Sequence, residues 1–169
     1  MQIINCKTKD IIVDGFNLLY KYPHLEEFMY RNNLTKARNG LIKILNEYVS
    51  KSKKNITVYV DGKKEEGLNI TKEKVGNINI VYTIDVTADY EIKKFVMKSR
   101  QPGIITVVSS DKEVIQVVKG CGAHFLKSEE FVQIINQVLS TVIEEKDEKQ
   151  SDVNLSKNDI EYWSKIFEK

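Results

Sequence analysis

Only two cysteines, Cys6 and Cys121, occur among the 169 residues. They fit no CxxC or Cys/His spacing, which argues against a structural zinc site and for a reduced, cytoplasmic chain. Histidine is as scarce: His24 has no evident partner, and His124 reads as structural within the apolar run Ala-His-Phe-Leu. No stretch approaches the roughly 18 apolar residues of a membrane span. Near the start, Cys6-Lys7-Thr8-Lys9-Asp10 interrupts any apolar run of the kind a secretory leader needs. There is no internal repeat, no Walker loop and no GxGxxG. The net charge is only +2, so a nucleic-acid partner requires a local basic patch rather than an overall basic protein.

What is present suits one compact α/β domain. The chain is 41% hydrophobic and 30% charged, enough to bury a core and stay solvated. Ile11-Ile12-Val13 is a short, uniformly apolar, β-branched run ending in Asp14-Gly15, the pattern of a buried central strand of a parallel sheet. Residues 16–33 carry Phe16, Tyr20, Tyr22, Pro23, Phe28 and Tyr30 and read as an irregular or partly helical excursion. Leu41, Ile44, Leu45 and Tyr48 then recur at helical spacing. A second strand, Ile56-Thr57-Val58-Tyr59-Val60, again ends in Asp-Gly, and the polar residues 63–76 read as a loop. Strands over 78–83, 104–108 and 123–126 alternate with helices starting near Thr87, Asp111 and Ser128. Residues 144–155 read as a charged linker. A last amphipathic helix over 156–169 carries Ile160, Trp163, Ile166 and Phe167 on one face, to dock back on the domain or meet a partner. Alternating strands and helices predict a parallel sheet covered on both faces.

In such sheets ligands bind outside the carboxyl ends of the strands. Asp14 follows the first strand, Asp61 the second, Asp89 lies in the helical turn after the third, and Asp111 follows the fourth. Each has an ordinary explanation as turn, cap or helix-dipole chemistry. Together they predict one acidic edge, where mutual repulsion calls for a divalent cation such as Mg²⁺ or Mn²⁺. A bound metal acidifies water and shields a phosphoryl group, with no histidine base required. Asn17 either supports Asp14 or forms the turn; Ser109 and Ser110 either orient Asp111 and contact phosphate or cap the helix.

The segments Ile-Ile-Val-Asp-Gly-Phe-Asn-Leu-Leu (11–19), Val-Tyr-Val-Asp-Gly (58–62), Thr-Ala-Asp-Tyr-Glu-Ile (87–92) and Val-Val-Ser-Ser-Asp-Lys-Glu (107–113) resemble the YacP-like branch of the NYN domains, in the PIN-like nuclease superfamily. Residues 37–41 and 122–131 continue the likeness, which spans about residues 10–140. It implies a three-layer αβα PIN-like (Rossmannoid) domain over residues 1–143, with a mainly parallel sheet of about five strands. It also implies a Mg²⁺- or Mn²⁺-dependent endoribonuclease. The resemblance places the catalytic, metal-binding acids at Asp14, Asp89 and Asp111, with Asp61 and Asn17 supporting; the acidic-edge reading counts Asp61 as a further metal ligand and Ser110 as a supporting residue. The pattern carries nothing onto the tail beyond about residue 145.

An RNA substrate needs cations near the acids. Candidates are Arg38, Lys63, Lys64, Lys72, Lys74, Lys93 and Lys94, with Tyr20 and Tyr22 available to stack on unpaired bases. The near-neutral charge predicts weak binding to free RNA and suggests mRNA presented by the translation machinery, the ribosome included. Phosphatases of the haloacid-dehalogenase type need Asp-x-Asp after the first strand, where Phe16 stands; receiver domains need their acceptor after the third strand, whereas Asp61 follows the second. The remaining alternative is a non-catalytic RNA- or ribosome-binding module that keeps the fold.

Overall fold

The computed structural model describes residues 8–62, 72–84 and 86–151, with side chains described to residue 140. The elements are β1 (Asp10–Asp14), α1 (Gly15–Leu19), α2 (Pro23–Tyr30), α3 (Leu34–Ser52), β2 (Asn55–Asp61), β3 (Lys72–Val75), β4 (Ile78–Thr83), α4 (Ala88–Lys98), β5 (Ile105–Val108), α5 (Lys112–Gly120), β6 (His124–Leu126) and α6 (Ser128–Ser151). They form one sheet in the order β3-β4-β2-β1-β5-β6. All pairings are parallel except β3 with β4.

Strand alternation divides the core in two. Ile11, Val13, Ile56, Val58, Val60, Ile78 and Ile80 face one cluster, which takes in residues of α1, α2, α3 and α6. Ile12, Tyr59, Ile105 and Val107 face the other, with Ile92 and Val96 of α4 and Val114 and Val118 of α5. The helices on the first face bury stripes at helical spacing, Ala37, Leu41, Leu45 and Tyr48 on α3. Tyr48 meets Phe131 of α6 edge-on, with ring centroids 5.4 Å apart.

The excursion after β1 resolves into two short helices, α1 and α2. One strand differs from the sequence expectation. Residues 72–75 pair with β4 as a hairpin instead of extending the loop. Gly76, at φ 60°, supplies the left-handed residue of its two-residue Gly76-Asn77 turn. Helix α6 also continues through Ser151, into the stretch read as a linker, because Glu, Lys and Gln dominate there and all are good helix formers. The remainder of that stretch and the expected last helix lie outside the described residues. No helix among the described residues is long and apolar enough to cross a membrane.

The chain leaves β1 for β2 and β4 on one side, then crosses to β5 and β6 on the other. The switch point therefore falls at the carboxyl ends of β1 and β5. Gly15 allows α1 to start hard against the neighbouring strand there. A Cβ at Gly15 would lie 2.8 Å from the Tyr59 carbonyl oxygen and 3.0 Å from Val60 Cγ2. The first of these is backbone and cannot swing aside. Gly15→Ala is expected to cost about 1–3 kcal/mol, read as a lower urea midpoint. Gly120→Ala, where nothing lies within 4 Å, should show no loss.

Candidate active site

Asp14 ends β1 one step beyond Val13, which pairs with Val108, so Asp14 and Ser109 leave the sheet side by side. Alternation turns Asp14 toward the α4 and α5 face. It is only 5% exposed. As the N-cap of α1 its Oδ1 accepts from the Asn17 amide at 3.1 Å, and its Oδ2 accepts from the Ser109 hydroxyl at 3.3 Å. The Asp14 carboxyl is pushed from 3.8 up to about 7. Burial is the largest cause; the Asn17 amide opposes it, the neighbouring Asp89 carboxylate adds to it by charge and by hydrogen bonding, and Ser109 opposes it weakly. Asp14 and Asp89 thus form a close acid pair at the switch point.

The other two aspartates are engaged otherwise. Asp61, at the end of β2, accepts with Oδ1 from the Thr83 hydroxyl at 3.0 Å and from the Ala88 amide at 2.6 Å. Ala88 opens α4, so Asp61 satisfies a free amide of that helix from a distant strand and places the turn that carries Asp89. Asp61→Ala is expected to cost about 1 kcal/mol, as loss of a cap does. Asp61→Asn, which keeps an acceptor oxygen, should retain most of that stability in a urea titration. Asp111 is the N-cap of α5, its Oδ1 accepting from the Glu113 and Val114 amides at 2.8 and 3.0 Å. Among the described residues no group of three or more His, Cys, Asp or Glu is arranged to hold a metal ion. Of the four expected aspartates, Asp89 is the one that acts directly on Asp14, while Asp61 and Asp111 are turned to the amides of α4 and α5. Two hard carboxylates still suit Mg²⁺ or Mn²⁺, since Mg²⁺ is commonly held by one or two carboxylates with waters completing its shell.

A hydrogen-bonded frame surrounds the pair. The Ser109 hydroxyl accepts from the Asp111 amide at 3.1 Å while donating to Asp14. The Asn17 side-chain oxygen accepts from the Ser110 amide at 3.1 Å and the Ser128 hydroxyl at 3.3 Å, tying α1 to the loop after β5 and to the start of α6. The Ser110 hydroxyl accepts from the Ser128 amide at 3.1 Å and donates to Glu129 at 2.6 Å. Glu129 also pairs with Lys21 at 2.7 Å. Lys21 and Ser110 together hold the Glu129 carboxyl down at about 2. Asn17 and Ser110 both lie in this frame. Lys21, Ser128 and Glu129 were missed: the sequence signal was Ser-Glu-Glu directly after the strand beside β5, which reads equally well as helix-start chemistry.

The nucleic-acid candidates divide. Lys93 pairs with Glu113 at 3.6 Å and Lys94 with Glu91 at 2.9 Å. Such exposed pairs are weak and leave both lysines free to exchange partners. Lys63 and Lys64 lie outside the described residues. Arg38 sits elsewhere, over the Tyr82 ring. Tyr22 does not serve for stacking: it is 6% exposed, and burial pushes its hydroxyl up to about 12. Tyr20 and Tyr90, close in sequence to Asn17 and Asp89, are about half exposed, at 47% and 52%. His124 is exposed on the edge strand rather than buried, and His24 is exposed beside Tyr22; neither belongs to a metal-holding group.

No curated protein matches the chain. The fold is similar to the crystal structure of Rae1 (YacP) from Bacillus subtilis, with TM-score 0.65 and 23% identity over 94% of this chain and 91% of that one. It is also similar to a single-site mutant of the same protein, with TM-score 0.70 and 21% identity over 90% and 91%. A family model for the YacP-like NYN domain matches residues 11–168, so the family pattern runs through the tail that the motif reading left out. The chain belongs to the YacP-like NYN domain family, a nuclease-type, RNA-related family.

Proposed function

We propose that the chain is a cytoplasmic, metal-dependent endoribonuclease whose Asp14–Asp89 pair holds Mg²⁺ or Mn²⁺ against a phosphodiester of RNA. The observation that carries this reading is the buried Asp14 carboxyl facing Asp89 at the switch point of the sheet. A like-charge pair with one buried member is unfavourable in isolation and becomes favourable around a cation. When bound, the metal supplies acidified water and charge neutralisation at the phosphoryl oxygens.

The chain's own residues set the geometry. Asp14 and Asp89 present oxygens from β1 and α4. Ser109 fixes the rotamer of Asp14 through Oδ2, and Asp61 fixes the first turn of α4 through Ala88. Asn17 locks the loop that carries Ser110 and Asp111. Exposed Tyr20 and Tyr90 offer ring faces to unpaired bases. The net charge of +2 gives little long-range pull on RNA, which favours a substrate presented by another assembly, such as mRNA on the ribosome.

The test is cleavage of a labelled RNA by purified protein. Cutting is expected in Mn²⁺ or Mg²⁺, to stop with chelator, and to run faster on mRNA in a translating extract than on naked RNA. Absence of metal-dependent cutting in both settings overturns the nuclease reading in favour of a binding module.

A further inference from the structure

A groove of about 530 Å³ lies away from the acid pair, between α3 and the β3–β4 hairpin. Its size is in the range of small-molecule sites. Arg38, Asn39 and Lys43 of α3 form one wall, and Tyr82 of β4 lines the other side. The Arg38 guanidinium stands 5.2 Å from the centre of the Tyr82 ring. Tyr82 is held in turn by its hydroxyl, which donates to Glu73 at 2.9 Å. Arg38 has no ion-pair partner among the described residues, unlike Lys93 and Lys94. Its Nε is buried without an acceptor. Glu47 and Glu73 also line the groove, yet stacking rather than a direct carboxylate contact fixes this cation, which leaves its hydrogen-bonding edge for a ligand.

The groove is built in advance. Asn46 donates to the carbonyls of Ile42 and Val75 and accepts from the Asn77 amide at 2.8 Å, pinning the hairpin onto α3. Gly76 fits there because a Cβ would lie 2.4 Å from Asn46 Oδ1. The groove also reaches the working end of the sheet. Tyr82 pairs with Val60, next to Asp61, and Val60 packs against Gly15, directly after Asp14. From β1 across β2 to β4 is two strand spacings, about 10 Å within the sheet, and a bound strand would pass over the carboxyl ends of the strands from one face to the other.

Resting on the nuclease reading above, we propose that this groove is a second RNA subsite. It takes one unpaired nucleotide of the strand whose scissile phosphate lies at Asp14 and Asp89. Arg38 and Lys43 neutralise the phosphate of that nucleotide, and the guanidinium–tyrosine stack gives its base a flat platform. The assignment accounts for an unpaired arginine and a rigid groove on the face opposite the acid pair.

The test is binding of a fluorescent 12-nucleotide single-stranded RNA, by anisotropy in chelator so that no cutting occurs. Arg38→Ala is expected to weaken binding about tenfold, Tyr82→Leu comparably, and exposed Lys43→Gln about threefold with a shallower salt dependence. Arg38→Lys should not restore binding, because an ammonium does not reproduce the planar stack. Lys98→Gln, at the end of α4 on the other face, should bind like wild type. Thermal melts identify any variant that fails to fold, and Lys43→Gln, a surface change, then decides. Wild-type affinity in both folded Arg38→Ala and Lys43→Gln, with wild type still binding and cutting RNA, overturns the subsite alone. Failure of wild type to bind the 12-mer also overturns the subsite, whereas absence of metal-dependent cutting both on naked RNA and in a translating extract overturns the nuclease reading beneath it.

Discussion

Asp14→Asn is expected to remove RNA cleavage while making the metal-free protein more stable at pH 8 than the wild type. The two effects share a cause. Asp14 is buried and faces Asp89, which raises its carboxyl from 3.8 to about 7. A raised folded-state value means that Asp14 contributes its stability fully at pH below about 4 and loses it as pH rises through about 7. The span from 3.8 to about 7 corresponds to about 4 kcal/mol of differential stability between those limits. Asparagine keeps an acceptor for the Asn17 amide and carries no charge, so that pH-dependent loss disappears. Urea titrations in chelator at pH 5, 6.5 and 8 should show wild type weakening across the range and the variant holding level. Glu129 has the opposite sign: held down at about 2, it loses its contribution as pH falls from about 4.5, outside this window. On activity, outer-shell changes at metal sites already cost about 10–100-fold. Loss of a ligand should therefore exceed about 100-fold in cleavage rate. A large drop in stability with an unchanged pH profile would make Asp14 a structural cap of α1 and nothing more.

The second large effect is on metal. Mn²⁺ at about 100 times its dissociation constant should stabilise wild type by about 2.7 kcal/mol, visible as a rise in Tm. Asp89→Asn and Asp14→Asn should each abolish that rise. Because cation and proton compete for Asp14, the metal-induced rise in wild type should be larger at pH 8 than at pH 6. Asp111→Asn tests the boundary of the site. Asp111 caps α5 through Oδ1, and an asparagine cap preserves the helix. Loss of the Mn²⁺ effect in that variant would place Asp111 in the metal's shell; its retention would leave the pair to act alone.

Much of this was legible in the chain. β1, β2, β4 and β5 are apolar runs closed by polar residues, and a parallel sheet must set those closing residues on one edge. That logic set Asp14 and Asp89 on the edge where the structure brings them together. It did not separate them from Asp61 and Asp111, because an aspartate after a strand looks the same whether it caps a helix or faces another carboxylate. Only the three-dimensional path of α4 decides, and Asp61 sets that path through an amide 27 residues away. β3 was hidden for a related reason. Lys72-Glu73-Lys74-Val75 has no apolar alternation, since an edge strand of this kind is exposed on most of its length; its signal lay in the Gly76-Asn77 turn. The Asn17–Ser110–Ser128 frame spans 111 residues of sequence, and no local pattern announces such a contact. Tyr22 was misplaced because an aromatic in a short excursion resembles a surface ring until its neighbours are known. The resemblance supplied the nuclease class, and composition alone would have stopped at a parallel α/β domain.

The central claim is that Asp14 and Asp89 together grip a divalent cation. Anomalous diffraction from a crystal soaked in Mn²⁺ tests it most directly. The account predicts one strong peak within coordination distance of a carboxylate oxygen from each residue, absent from Asp89→Asn crystals treated identically. A map with no peak between those two side chains, or with manganese only on unrelated surface carboxylates, contradicts it.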